Sequence, residues 1–226
     1  MAEITLGGVV VHLLADRAMW VPQAGTLVVA DLHFGKVNHF RRSGLPVPVA
    51  ANQRNAERLI DLIQKYQPAQ TLFLGDLFHS VYNDDWEVVG QIVKHFPACS
   101  FRLVMGNHDI LSDRQYQRHG IEQVDRVEIG NLTFTHEPME LEQLGTDEIN
   151  VAGHLHPAAR LTGKGRQSLV MPCFWKSDRH FILPAFGSFT GLATVAPGEQ
   201  DRVYVLVDRQ VVEIRPTTTE TKRKAS

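Results

Sequence analysis

The sequence contains little cysteine, no excess of either charge and no long apolar run. Its 226 residues include two cysteines, Cys99 and Cys173, and the formal net charge is −2. Two thiols far apart in sequence are typical of a protein kept in a reducing compartment, so we expect a cytoplasmic location. The near-neutral charge excludes a global basic field, and any binding of nucleic acid must therefore rest on a local patch.

The sequence also has no evident targeting or membrane-spanning segment. The N-terminal stretch MAEITLGGVVVHLL has no basic residue before its apolar run, and His12 interrupts that run. We therefore expect neither a signal peptide nor a membrane partner.

Composition and the order of apolar runs predict one α/β domain. Hydrophobic residues make up 43% of the chain, which is enough for a substantial core, and we expect a single domain over residues 1–215. Residues 216–226 have no apolar periodicity and are predicted to be a disordered tail. Helices are predicted over Asn52–Tyr66 and after an N-cap at Asn83. Short apolar runs predict strands at Val9–Leu14, Thr26–Ala30, Thr71–Leu74, Phe101–Met105, Val127–Ile129, Leu132–Phe134, Ile149–Ala152, Ser168–Met171, His180–Leu183, Val203–Val207 and Val211–Ile214.

Five of these strands are followed by residues that can bind a metal ion. In open α/β sheets, functional sites gather beyond the carboxyl ends of the strands, so we expect these residues to converge. In chain order they are Asp31 and His33, Asp76 and His79, Asn107 and His108, His136, and finally His154 and His156.

This set of side chains predicts a binuclear metal centre. Carboxylate, imidazole and amide oxygen suit Mn²⁺, Fe or Zn²⁺, and the lack of thiolates argues against a structural zinc knot. Seven candidate ligands, the set without His79 and His108, are too many for one ion with open positions but suit two ions, with Asp76 able to bridge them. Two metals ~4 Å apart are the usual apparatus for in-line displacement at phosphorus. Gly75, Gly106 and Gly153 are predicted to permit the tight turns that aim the next residue inward.

The motif series resembles that of the calcineurin-like metallophosphoesterases. It consists of Asp31-x-His33, Gly75-Asp76, Gly106-Asn107-His108-Asp109, His136 and Gly153-His154-x-His156. The resemblance implies a four-layer α/β/β/α sandwich of two mixed β-sheets. It implies that one metal is held by Asp31, His33, Asp76 and His156, and the other by Asp76, Asn107, His136 and His154. It also implies that His108 faces the scissile phosphate without binding metal.

The residues after Asp76 bear on the substrate. Protein phosphatases with similar motifs have GDxxDRG, whereas this chain has His79 in place of the second aspartate and lacks the arginine. The sequence GDLFH is instead similar to the double-strand-break repair nucleases of the superfamily. His79 is therefore a second candidate catalytic residue beside His108.

The C-terminal part resembles the ligase-associated DNA damage response endonucleases. The resemblance is carried by FILPAFGSFTG at residues 181–191 and by Cys173-Phe174-Trp175 before it. It implies a manganese-dependent endonuclease in DNA repair, with DNA, single-stranded by preference, as its substrate. Because these bacterial enzymes are encoded beside a DNA ligase, an exonuclease and a helicase, it also implies a functional association with those three proteins.

Three groups of basic residues follow the predicted site loops and favour DNA as the substrate. The last group is predicted to share a loop with Phe174 and Trp175, where bases could stack while phosphates are paired. The candidate DNA-binding residues are Lys36, Arg41, Arg42, Arg160, Lys164, Arg166, Lys176 and Arg179.

Two alternative functions remain open at this point. A phosphomonoesterase or cyclic-nucleotide phosphodiesterase of the same fold would need a small closed pocket rather than an open basic groove. A non-catalytic scaffold, similar to the retromer subunit with this fold, should lack metal ligands or the catalytic histidine, and none is missing here.

Overall fold

A computed structural model of the chain describes residues 1–36, 50–79, 81–163, 167–188 and 190–214. The predicted tail, Arg41, Arg42, Lys164 and Arg166 lie outside the described residues. No helix in these ranges is long and apolar enough to cross a membrane.

The first sheet has seven strands in their order along the chain. Strands β1 to β4 pair antiparallel and β4 to β7 pair parallel, so the sheet is mixed. In the parallel part, Ala30 is opposite Leu74 and Leu74 is opposite Val104, which brings three carboxyl ends to one edge. The strands are β1 (Ala2–Leu6), β2 (Val9–Leu14), β3 (Ala18–Val21), β4 (Thr26–Ala30), β5 (Gln70–Leu74), β6 (Ser100–Val104) and β7 (Ile121–Val124).

The second sheet has nine strands and is also mixed. Its order is β14-β11-β12-β13-β10-β9-β8, and β12 also pairs with β15, which pairs with β16. Strand β10 is parallel to both β9 and β13, with Ala152 opposite Thr135 and Ile182. The strands are β8 (Val127–Ile129), β9 (Leu132–Thr135), β10 (Ile149–Ala152), β11 (Pro157–Thr162), β12 (Ser168–Ser177), β13 (His180–Ile182), β14 (Ala193–Thr194), β15 (Arg202–Val207) and β16 (Gln210–Ile214).

Three α-helices contribute to the core on one face of the first sheet. They are α1 (Ala50–Tyr66), α2 (Asp84–His95) and α3 (Asp113–Arg118), and each places buried side chains in the same cluster. Single 3-10 turns occupy Pro22–Ala24 and Leu141–Gln143. The Asn83 side chain accepts a hydrogen bond from the Asp85 N–H at 3.0 Å, which confirms the predicted N-cap of α2.

The central strand β4 of the first sheet is buried on both faces. In β4, Leu27 and Val29 belong to the cluster with the helices, while Val28 and Ala30 belong to a second cluster shared with the other sheet. This explains why β4 reads as an unbroken apolar run rather than an alternating one. Two mixed sheets with helices confirm the predicted α/β sandwich.

The predicted elements are confirmed, but several others had no clear sequence signal. The elements that were not predicted are β1, β3, β7, β11, β14 and α3. Strand β12 runs on to Ser177, so the predicted loop around Phe174 and Trp175 is wrong. Phe174 is buried in the cluster between the sheets, and Trp175 is partly buried on the outer face, where its Nε1–H donates to Asp201. Neither ring is therefore placed to stack on a base.

Candidate active site

The predicted convergence of strand ends is confirmed by hydrogen bonds between the loops. The Asp31 N–H donates to the Gly75 carbonyl at 3.3 Å, and the His33 N–H donates to the Asp76 carbonyl at 2.8 Å. These bonds join the loops after β4 and β5. The loops of the second sheet meet in the same way, since the Gly153 N–H donates to the His136 carbonyl at 3.0 Å.

Two further hydrogen bonds join the two sheets at this edge. The His154 N–H donates to Asp31 Oδ2 at 2.9 Å, and His136 Nδ1 lies 3.0 Å from the Leu74 carbonyl oxygen. If Nδ1–H donates to that carbonyl, Nε2 of His136 is left free to bind a cation.

Five of the candidate ligands have a left-handed backbone. A positive φ is uncommon outside glycine and costs free energy, and such residues cluster at functional sites. The five are Asp31 (φ 54°), His33 (51°), Asp76 (49°), His154 (64°) and His156 (48°).

One group of side chains has its ligand atoms directed at a common point. Asp31, His33 and His156 each offer an atom within 4.8 Å of the others. His33 Nε2 lies 3.4 Å from His156 Nε2 and 3.7 Å from Asp76 Oδ2. His156 Nε2 lies 3.5 Å from Asp31 Oδ1. These are the four residues assigned to one metal by the motif resemblance.

The second group lies on the other side of Asp76. His136 Nε2 is 3.1 Å from both Asn107 Oδ1 and His154 Nδ1, and it is 3.6 Å from Asp76 Oδ1. The two carboxylate oxygens of Asp76 therefore face different groups, Oδ2 toward His33 and Oδ1 toward His136.

Glu137 is a candidate ligand that the sequence analysis missed. Its carboxylate is exposed and lies with His136 and His154 in a third possible ligand group. Its position next to His136 was the available signal, but an acidic residue after a strand is too common to be informative alone.

The electrostatics of the first group suit a cation. Asp31 is fully buried, and its Oδ1 has no hydrogen-bond partner among the described residues. Burial is the main reason why the pKa of His33 is lowered to about 2, and the charges of Lys36 and of the neighbouring histidines His156, His79 and His108 act in the same direction. The imidazole is therefore neutral at physiological pH, which is the form that binds metal.

The glycines of the motifs are needed for different reasons. Gly75 has a φ of 69°, as predicted for a tight turn. Gly153 is explained by close approach, because a Cβ atom there would lie 2.7 Å from Asp31 Oδ2. A Cβ atom at Gly106 would overlap the Asp76 backbone and carboxylate.

Two histidines lie beside the ligand groups. The rings of His79 and His108 are 3.8 Å apart between centroids, and His79 Nδ1 is 3.2 Å from His33 Nδ1. The His108 N–H donates to Asp76 Oδ1 at 3.0 Å. His79 thus touches the ring nitrogen of His33 that faces away from His156.

Of the four predicted basic residues that the structure describes, Lys36 lies close enough to the site for Asp76 and Asp31 to act on its charge. Burial lowers its pKa, while Asp76 and Asp31 act in the opposite direction. Arg160 is exposed on β11 and donates to Ser168 Oγ at 3.4 Å.

The structure does not bring Lys176 and Arg179 to the site. Lys176 Nζ donates to the Asp178 carbonyl at 3.0 Å, near the end of β12. Arg179 donates to three carbonyls, those of Leu141, Leu144 and Gly145. Its own carbonyl accepts from Asn150 at the start of β10, whereas His154 follows the other end of that strand.

The fold and the clustered ligand types define the class as a metal-dependent phosphoesterase. Residues 25–180 match the family model of the calcineurin-like phosphoesterases. The match covers more than half of the chain, and the chain therefore belongs to the calcineurin-like phosphoesterase family. It is a hydrolase, and its family binds divalent metal ions.

Solved structures give a more specific likeness. The chain is similar to the crystal structure of Pseudomonas putida nuclease MPE, with a TM-score of 0.78 and 27% identity, over 94% of this chain and 99% of that one. It is also similar to Yfce, a phosphoesterase from E. coli, with a TM-score of 0.47 and 14% identity, over 84% and 98% of the two chains. A comparison with curated proteins finds no match.

Asp109 connects two of the loops that carry the site. Its Oδ1 accepts from the Phe78 N–H at 3.1 Å, and its Oδ2 accepts from the Gly106 N–H at 2.9 Å. Burial raises the pKa of Asp109 to about 7, although these two hydrogen bonds lower it. The carboxylate therefore ties the loop after β5 to the loop after β6.

We predict that Asp109→Asn destabilises the metal-free protein by about 1–3 kcal/mol, since an amide NH₂ would face one of the two N–H donors. Urea denaturation of the metal-free protein measures this. The matched control is Asp61→Asn on exposed α1 surface, which should change the free energy of unfolding by less than about 0.5 kcal/mol. Equal stability of the two variants would contradict a connecting role for Asp109.

Proposed function

We propose that the chain is a two-metal, manganese-dependent endonuclease that cleaves DNA, with single-stranded DNA as the preferred substrate. The observation that carries this proposal is the likeness to the Pseudomonas putida nuclease over 94% of the chain. A role in DNA repair beside a DNA ligase, an exonuclease and a helicase is part of the same proposal. The alternative, a phosphomonoesterase or cyclic-nucleotide phosphodiesterase, is an outcome of the tests below.

The arrangement of side chains supports two metal positions. One ion would be held by Asp31, His33 and His156, and the other by Asn107, His136 and His154. Asp76, which lies between the two groups, would contribute to both. Support comes from the two Asp76 oxygens, which face different ligand groups, and from Asp31 Oδ1, which has no hydrogen-bond partner among the described residues. The donors are oxygen and nitrogen only, which favours Mn²⁺ and is compatible with Fe or Zn²⁺. When bound, two such ions supply activation of the attacking water and neutralisation of charge on the phosphate.

The protein itself supplies a proton donor for the leaving oxygen. The sugar oxygen of a phosphodiester leaves poorly unless it is protonated, and general acids contribute a factor of roughly 10²–10⁴. We assign this role to His108, whose backbone is held by Asp76 Oδ1 and whose ring is partly exposed beside the ligand groups.

His79 is assigned to positioning rather than to metal binding. Its ring packs against the His108 ring at a tilt of 41°, with 3.8 Å between the centroids, and its Nδ1 lies 3.2 Å from Nδ1 of His33. It can therefore orient the proton donor and one ligand together. If Nδ1–H of His33 donates to His79 Nδ1, this contact also fixes the tautomer of His33 and raises its basicity as a metal ligand.

Lys36 is the described cation best placed to meet the substrate. Its half-buried ammonium is within electrostatic reach of Asp31 and Asp76, where a phosphate would lie. Arg160 is further along β11 and is assigned to a neighbouring phosphate. Phosphate contacts of this kind do not depend on sequence and make binding sensitive to salt.

Removal of metal should abolish activity. Protein treated with a chelator should be inactive, and Mn²⁺ should restore activity better than Mg²⁺, because imidazole ligands disfavour Mg²⁺. Asp76→Ala should lose activity and lower the metal content at both positions, measured by elemental analysis. Full activity of the metal-free protein would contradict the two-metal proposal.

The mode of cutting separates an endonuclease from the alternatives. The proposed phosphate contacts of Lys36 and Arg160 do not require a DNA end, so closed single-stranded DNA circles should be nicked in the presence of Mn²⁺. At low substrate concentration, the cleavage rate should fall steeply as the salt concentration rises. Gel analysis of circles measures this, with a nitrophenyl phosphomonoester and a cyclic nucleotide assayed in parallel. Intact circles together with fast hydrolysis of either small substrate would favour the alternative function.

Substitution of the two histidines should separate proton donation from metal binding. His108→Ala and His79→Ala should both keep two metals and lose DNA cleavage about 10²-fold or more. Both should lose far less activity toward a bis-nitrophenyl phosphodiester, whose leaving group needs no proton. Metal content and both rates are measured for each variant. Loss of a metal in His79→Ala would show that His79 is a ligand. Unchanged rates with both substrates would show that it is only a structural residue.

A further inference from the structure

The segment Ala185–Ser188 follows β13 and packs against the backbone of the candidate ligand Asp31. The Phe186 N–H donates to the Ala30 carbonyl at 2.8 Å, and the Gly187 N–H donates to the Asp31 carbonyl at 3.0 Å. We call Ala185–Ser188 the strap. The strap continues the backbone hydrogen bonding of β4 beyond Ala30, the last residue of that strand. The next residue, Asp31, has a left-handed backbone.

The strap is packed against the backbone that it contacts. A Cβ atom at Gly187 would lie 2.7 Å from the Leu32 carbonyl oxygen and 3.1 Å from the Asp31 carbonyl oxygen. Movement of the strap away from β4 would therefore break its hydrogen bond to the Asp31 carbonyl. A larger side chain at Gly187 would push the Asp31 backbone out of place.

Two arginines hold the outer side of the strap. Arg17 Nη1 donates to the Ala185 carbonyl at 3.3 Å and to the Gly187 carbonyl at 3.1 Å. Arg58 Nη2 donates to the intervening carbonyl of Phe186. Three successive carbonyl groups thus accept hydrogen bonds from two guanidinium groups that come from distant parts of the chain.

Asn55 holds the end of the strap. Its buried Oδ1 accepts from the Ser188 N–H at 3.2 Å and from the Ser188 hydroxyl at 2.8 Å. The same oxygen lies 3.3 Å from Arg58 Nη2, and the Arg58 guanidinium lies 4.1 Å from the centre of the Phe186 ring.

This arrangement places two like charges together in a partly desolvated position. Burial, with a smaller contribution from the positive charge of Arg17, lowers the pKa of Arg58 to about 10, and Asp16 acts in the opposite direction. Burial also lowers the pKa of Arg17. Placing two cations here costs free energy. The pair is therefore better explained by its hydrogen bonds to the strap than by a contribution to the stability of the domain.

We propose that Arg17, Asn55 and Arg58 are positioning residues that press the strap against Asp31 and so keep its carboxylate directed at the metal position. The inference rests on the proposed function only in that Asp31 must bind a metal. It is independent of whether the substrate is DNA. None of the three residues is itself assigned a contact with metal or substrate.

The test compares Mn²⁺ binding by the metal-free full-length chain and by two variants, Arg17→Gln and Arg58→Gln. Electron paramagnetic resonance of free Mn²⁺ gives the dissociation constants of both positions. Loss of a residue that orients a ligand typically weakens metal affinity about 10–100-fold. We expect a weakening in this range for the position that uses Asp31, and Arg17→Lys should restore most of the affinity because it keeps a donor.

Arg179→Gln is the matched control. Arg179 also donates to three backbone carbonyls, but at the end of β10 away from the ligands. The control should lose a similar amount of thermal stability and keep the Mn²⁺ affinity of the unchanged protein. Should Arg58→Gln fail to fold, Arg17→Gln and Ser188→Ala are compared with the control instead.

The outcomes separate the two proposals. Mn²⁺ affinity that falls in the strap variants and not in Arg179→Gln supports the positioning role, whatever the substrate. Affinity that is unchanged, or that falls equally in Arg179→Gln, overturns it and leaves the proposed function intact. An unchanged protein that binds no Mn²⁺ overturns both.

Discussion

The buried carboxylate of Asp31 is the constraint on which the rest of the site depends. It has no exposed surface, one oxygen accepts the His154 N–H from the other sheet, and the second oxygen has no hydrogen-bond partner among the described residues. An ionised carboxylate is costly to bury unless it is compensated. A cation bound at the unpaired oxygen is the compensation that the surrounding imidazoles permit, and the two sheets are joined through the same side chain.

Parallel pairing is what assembles the ligands. Strands β4, β5 and β6 end in register, and so do β9 and β10, so that each loop begins at the same level of its sheet. The left-handed backbone at five ligands then turns the chain sharply and directs the side chains inward. This local strain is balanced by hydrogen bonds between neighbouring loops, of which the two accepted by Asp109 are an example.

Proximity in sequence proved a poor guide to the surface around the site. Phe174, Trp175 and Lys176 were predicted to form a loop, but they belong to β12, which pairs here with β13 and β15. Phe174 is buried and Trp175 is partly buried. Arg179 was predicted to meet DNA, yet its guanidinium is used by three carbonyls at the far end of β10. Conversely, Arg17, Asn55 and Arg58 carried no signal, because their partners lie 128 to 170 positions away in the chain.

The sequence by itself determined the class of the protein, the strands that lead to the site and the seven candidate ligands. It could do so because each ligand follows an apolar run, and the carboxyl ends of parallel strands meet at one edge whatever the details of packing. Only the tertiary structure decided which oxygen of Asp76 faces which group, that His79 touches His33, and that a strap held by two arginines lies behind Asp31. Those features depend on contacts between segments far apart in the chain, and local residue patterns contain no information about such distances.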